Sequence, residues 1–166
     1  MSLSNKSRSR VKGFFNLTLV VLGLGFFVVL FLFKGSMNKL VSKKMAEQAG
    51  VETKKTIAQV VDSAYNYRKN GKAYKITFLE FGATGCISCR KMEFVMKEFR
   101  EKYHQTVNVI FYNVLLPENQ DIMKYYGIAA IPTQVLLDLS GMEIFRHTGY
   151  YSFDELEQEF KKSNLL

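Results

Sequence analysis

Apolar residues follow three rhythms along this chain, and each predicts a different kind of element. The first is an unbroken run. Positions 14–33 read FFNLTLVVLGLGFFVVLFLF, without a charge and with Asn16 and Thr18 as the only clearly polar members. Twenty residues of helix at about 1.5 Å each span roughly 30 Å, the thickness of a bilayer's hydrocarbon core. That length and purity argue against a buried core helix. A cleavable signal peptide shares the basic start, but this run is long for one and its exit, FKGSMNK, lacks a small-residue cleavage site. Residues 14–33 are therefore read as a transmembrane anchor behind a short basic head at 1–13.

The second rhythm has helical spacing. Ile57, Val60, Val61 and Ala64 predict an amphipathic helix over 53–69, stopped at Asn70-Gly71. Met92, Val95, Met96, Phe99 and Tyr103 line one side of a helix over about 86–103, with Arg90, Lys91, Glu93 and Lys97 on the others. A short helix over 117–126 has Pro117 at its start and Gly127 past its end. Ser152 and Glu155 have capping-box spacing before a last helix that carries Phe153, Leu156 and Phe160. The third rhythm is the short β-branched and aromatic run, found at 74–81, 107–114, 133–139 and 143–148, the last two joined through Ser140-Gly141. After a lysine-rich juxtamembrane segment at 34–52, residues 53–166 thus read as an α/β domain with a mixed central sheet and helices on both faces.

Charge changes the picture only by its placement. The net charge is +8, yet Lys6, Arg8, Arg10, Lys12 and Lys34 flank the apolar run, leaving 18 basic residues against 15 acidic ones in the rest. A nucleic-acid module would concentrate its excess on the folded domain, so no nucleic-acid partner is expected; the charge suits a membrane surface. Lys34, Lys39, Lys43 and Lys44 balance the basic head, so the positive-inside rule hardly orients the anchor.

The candidate chemistry lies in two cysteines, Cys86 and Cys89, in the window EFGATGCISCRKME. Two are too few for a disulfide scaffold, and His104 and His147 are not at zinc-finger spacing, so the pair reads as a redox dithiol and no metal or cofactor is expected. The pair alone is a weak signal, since C-x-x-C also makes half of many zinc sites. Its setting strengthens it, because a strand ends and a helix begins there. Cys86 at a helix N-terminus meets unpaired N–H groups and the helix dipole, which favour the attacking thiolate. Cys89, one turn on, is the resolving thiol. A dithiol domain fixed to a membrane has most use on the oxidising face. A short cytoplasmic head and an external C-terminal domain are therefore expected.

Together with Tyr126-Gly127-Ile128, Ile131-Pro132-Thr133, Gly141 and Gly149, this window resembles the thioredoxin superfamily from about position 76 to 160. The resemblance implies that Pro132 is a cis-proline opposite the dithiol and that Ile131 offers its backbone to an incoming chain. It also implies that Glu80 is a buried acid that moves the proton of the resolving cysteine. Gly82 and Gly85 stand where the family carries tryptophan, and Gly85 leaves the approach to Cys86 open for substrate. The Gly-Pro between the cysteines is Ile87-Ser88, and an apolar residue around Phe111 replaces a lysine near the acid. The strings GCISCRKME and GMEIFRHTG look more like the C-terminal domain of DsbD-type membrane disulfide reductases and like anchored bacterial thioredoxins. That likeness implies a single-pass protein of the bacterial inner membrane with its domain facing the periplasm or exterior. It would reduce protein disulfides and be recharged by a membrane thiol electron donor, with lipid around residues 14–33. An oxidase or isomerase of the same fold, or a non-catalytic binding or assembly module, is the alternative. His104 and His147 read as surface or structural residues, and Phe99, Phe111 and Tyr125 as core.

Overall fold

The computed structural model describes residues 5–162, and side chains from position 19 onward except those at 30, 31 and 33–36. The chain divides into two compact units, Met1–Leu40 and Val41–Leu166. In the first, Leu22, Leu24, Phe26, Phe27 and Leu32 of helix α1 (Asn5–Glu47) are each 61–72% exposed. Among the described residues no helix is long and apolar enough to cross a membrane. The expected anchor at 14–33 lies partly outside the residues whose side chains are described, and the basic head at 1–13 wholly so.

In the second unit the expected helix over 53–69 is two helices, α2 (Val51–Tyr65) and α3 (Tyr67–Asn70). The break has a hydrogen-bonding cause. The N–H groups of Tyr67 and Arg68 donate to the carbonyl of Leu139 rather than back along α2. The Asn70 amide then donates to the carbonyls of Ser63 and Ala64 at the end of α2. Strand β1 (Ile76–Gly82) follows, then α4 (Ile87–Lys102) and β2 (Val107–Asn113). A 3-10 turn at Pro117–Asn119 leads into α5 (Gln120–Tyr125), splitting the single short helix read from the sequence. The chain closes with β3 (Thr133–Leu137), β4 (Glu143–Thr148) and α6 (Phe153–Lys162). The capping box of α6 forms as its spacing predicts: Ser152 N–H donates to Glu155 Oε2 at 2.9 Å, and Glu155 N–H to Ser152 Oγ at 3.3 Å.

The sheet order is β2-β1-β3-β4, with β1 parallel to β2 and antiparallel to β3, and β3 antiparallel to β4. Because side chains alternate along a strand, β1 feeds two cores. Ile76 and Phe78 pack with Met92, Val95, Met96 and Phe99 of α4 and with Leu156 and Phe160 of α6. Leu79 and Phe81 pack on the other face with Val61 and Tyr65 of α2 and Ile122 of α5. The sheet is therefore mixed and covered on both faces. Phe111, expected in the core, is 37% exposed because β2 is an edge strand; Tyr125 is half-buried.

Candidate functional site

The site begins where β1 runs out. Gly82 is the last residue of the strand, and the chain turns through Ala83 and Thr84 to Gly85, whose φ of 88° lies in the left-handed region that glycine adopts without strain. A Cβ at Gly85 would meet nothing within 4 Å, so the approach to the next residue is open. At Gly82 the opposite holds. A Cβ there would stand 2.9 Å from the Phe111 ring and 3.4 Å and 3.5 Å from Cβ and Sγ of Cys89. Phe111 and Cys89 thus occupy the space that a side chain at Gly82 would need.

Cys86 is the N-cap of α4 and joins Cys89 in a disulfide with the Cα atoms 5.2 Å apart. The Cys89 N–H donates to Cys86 Sγ at 3.2 Å, so this sulfur holds the place usually taken by a capping oxygen. Once reduced, a thiolate at that position accepts the same hydrogen bond and lies at the positive end of the helix dipole. The two cysteines differ in exposure. Cys86 is partly exposed beside Ile87, which is 73% exposed, whereas Cys89 retains 3%.

Glu80 is fully buried, two residues before Gly82 on the same sheet face, the face covered by α4. Burial pushes its carboxyl up to about 8, and a hydrogen bond from Gln134 Nε2 to Oε2 at 3.0 Å partly opposes the shift. The strand register explains the contact, since Glu80 faces Gln134 on β3 and Phe111 on β2. Gln134 in turn faces His147 on β4, whose ring stacks on Tyr151 at 4.3 Å. Four strands therefore contribute one row, Phe111-Glu80-Gln134-His147. Sequence reasoning gave Gln134 no role. The available signal was a glutamine in a strand otherwise composed of threonine, valine and leucine, immediately after Pro132-Thr133.

The Ile131–Pro132 bond is cis. Thr133 pairs with Phe81, so Pro132 stands next to the end of β1 from which the turn to the cysteines departs. Ile131 is half-buried and Gly85 exposed. Cys86, Cys89, Glu80, Pro132 and Gly85 all fall at this one end of the sheet. His104 is an exposed residue between α4 and β2 and does not join them. Among the described residues no three His, Cys, Asp or Glu side chains form a group that could hold a metal ion.

A family model for thioredoxin-like domains matches residues 60–164. A thioredoxin from Alicyclobacillus acidocaldarius is 31% identical over 94 residues, which cover 57% of this chain and 87% of that protein. A thioredoxin variant from Halobacterium salinarum has a TM-score of 0.50 at 24% identity, covering 58% of this chain and 80% of its own. A thioredoxin from Nicotiana alata has a TM-score of 0.47 at 33% identity, with 56% and 78% covered.

Proposed function

This chain belongs to the thioredoxin-like domain family, and on that premise we propose that it is a membrane-anchored thiol–disulfide oxidoreductase that reduces protein disulfides through Cys86 and Cys89. The observation that carries the proposal is the asymmetric pair, with Cys86 partly exposed as the N-cap of α4 and Cys89 buried behind it.

The steps follow from that asymmetry. In the reduced protein the Cys86 thiolate attacks one sulfur of a substrate disulfide, forming a mixed disulfide and releasing the other substrate sulfur as a thiolate. Glu80 in its carboxylate form then takes the proton of Cys89, whose sulfur attacks Cys86 Sγ. The bond between Cys86 and the substrate breaks, and the second substrate thiolate leaves and takes a proton from water. The substrate disulfide has gained two electrons and the Cys86–Cys89 pair has lost them. A dithiol protein of the membrane must return them. Ile131 and Pro132 would line the groove for the incoming chain, with Gly85 leaving room for it.

The reducing direction draws support from the likeness of GCISCRKME and GMEIFRHTG to DsbD-type reductase domains. The anchor draws support from the uncharged run at 14–33 and from the exposure of Leu22, Phe26 and Phe27, an apolar surface that water does not suit. We place the domain outside the cytoplasm of a bacterial inner membrane, where disulfides form.

The test uses the full chain in membranes. Thiol labelling is expected to show one reversible intramolecular disulfide, and Cys89→Ala to accumulate mixed disulfides through Cys86. Absence of both sinks the exchange chemistry. A redox titration then decides direction, and a strongly oxidising potential overturns the reductase assignment while leaving exchange intact.

A further inference from the structure

Glu80 is the acid of the site, and side chains from α4, α6 and the neighbouring strands pack around it. From α4 the nearest chemistry is Cys89 beside Gly82; from β2 the uncharged Phe111; from β3 Gln134, with His147 of β4 beyond it. From α6 come Leu156 and Phe160, while the Glu157 carboxylate of that helix is held by Lys102, Lys161 and Tyr103. Among the described residues the shift of Glu80 has burial as its cause, with no cation contributing to it, and the Gln134 amide is the side chain that hydrogen-bonds the carboxyl. Gln134 is itself fully buried, so neither group reaches bulk solvent.

Two oxygens in this pair stand without a donor, Oε1 of Glu80 and Oε1 of Gln134. Both are acceptors when the carboxyl is ionised. Burial with Glu80 Oε1 short of a donor keeps the neutral acid as the resting form. The ionised form keeps only the bond from Gln134 Nε2. A hydrogen bond to a carboxylate is roughly twice as strong as one to a neutral acid, so losing the amide harms the ionised form more than the neutral one.

We propose that Gln134 is the positioning residue of Glu80: its amide holds the carboxyl in place and favours its charged form inside the sheet, so that it can receive the proton of Cys89. The inference rests on the exchange chemistry above but concerns a residue to which that chemistry assigns no role. Without the amide, the ionised fraction of Glu80 at neutral pH falls further, and the resolving step slows with it.

The experiment compares the full-length wild type with Gln134→Met, which keeps length and volume but has no amide, and with Gln134→Leu as a second shape in case the first folds poorly. Two readouts are taken. One is the titration of Glu80 by carbon-13 NMR of glutamate-labelled protein in micelles. The other is the pH dependence of substrate release from the Cys86 mixed disulfide in a single turnover. The midpoint is expected to rise by about one pH unit, which lowers the ionised fraction and the release rate at pH 7 by about tenfold. In a Glu80→Gln background, Gln134→Met is expected to leave the pH profile of release where it was. An unchanged or lowered Glu80 midpoint overturns the inference, as does a further shift of that profile in the Glu80→Gln background. A wild type that exchanges no thiols overturns the proposed function instead, and the NMR titration still decides the coupling of Gln134 to Glu80.

Discussion

Glu80 and Glu157 are both buried carboxylates on helix- and strand-packed faces of the same domain, and their surroundings push them in opposite directions. Glu157 accepts from Lys102 Nζ at 2.5 Å, Tyr103 Oη at 2.6 Å and Lys161 Nζ at 2.6 Å. Those donors pull its carboxyl down to about 2. Glu80 has one neutral amide, and burial pushes it up to about 8. The difference separates two uses of an acid. A carboxylate surrounded by donors is a fixed charge that ties α4 to α6, whereas a carboxyl left short of donors changes protonation near neutral pH and can do chemistry.

The sharpest way to break that comparison is kinetic. Glu80→Gln keeps a planar group that can still meet Gln134 but cannot accept a proton as a base. Release from the mixed disulfide at pH 7 is expected to slow by about 100-fold, the low end of what a positioned general base contributes. Glu157→Gln is expected to change that rate by less than about twofold. Equal losses in the two variants would mean that both act through folding.

Stability gives the next largest separation, with opposite signs. Folded Glu80 keeps its proton up to about 8, whereas an unfolded carboxyl loses it near 4.5. The folded state therefore holds the extra proton between those values, and stability falls as pH rises through that window. Glu80→Gln removes the penalty, so the variant is expected to be more stable than the wild type at pH 7 by about 3 kcal/mol, and by almost nothing near pH 4.5. Glu157 behaves the other way: its contribution is present above about 4.5 and is lost as pH falls towards about 2. Glu157→Gln is expected to lower the melting temperature at pH 7 by about 3 °C, with the deficit closing in acid. Thermal denaturation of both variants across pH 3–8 checks the crossing.

How far the sequence could anticipate this contrast depends on what each residue's partners are. The turn at Gly85, the helix start at Cys86 and the α6 capping box were legible because neighbours in sequence create them. Glu80 was reached through the resemblance, which implies a buried acid at that position. Gln134 was not legible as its partner, because the register that sets it against Glu80 depends on how β3 returns antiparallel beside β1. The exposure of Phe111 was hidden for the same reason: only strand order reveals that β2 is an edge. The break at Asn66 was missed because Leu139, far along the chain, supplies the carbonyl that draws Tyr67 and Arg68 out of the helix. Local signals fixed the elements and the dithiol, while pairings between distant segments built the environment of the acid.

The smallest effect expected concerns salt, and it tests the same distinction without touching either acid. Lys102 and Lys161 reach Glu157 from solvent, their side chains 54% and 60% exposed, so added salt screens that attraction. Glu80 owes its shift to burial and a neutral amide, which mobile ions do not reach. Raising sodium chloride from low salt to about 0.5 M is expected to raise the Glu157 midpoint by a few tenths of a pH unit and to leave that of Glu80 in place. Lys161→Ala should weaken the salt response less than Lys102→Ala, because Lys102 also lies 5.2 Å over the Phe153 ring and 5.5 Å over that of Tyr103 and is held more firmly beside the carboxylate. Carboxyl titrations at the two salt concentrations measure both midpoints in one sample. A Glu80 midpoint that moved with salt as far as that of Glu157 would show a cation in its surroundings, and the two carboxylates would no longer differ in kind.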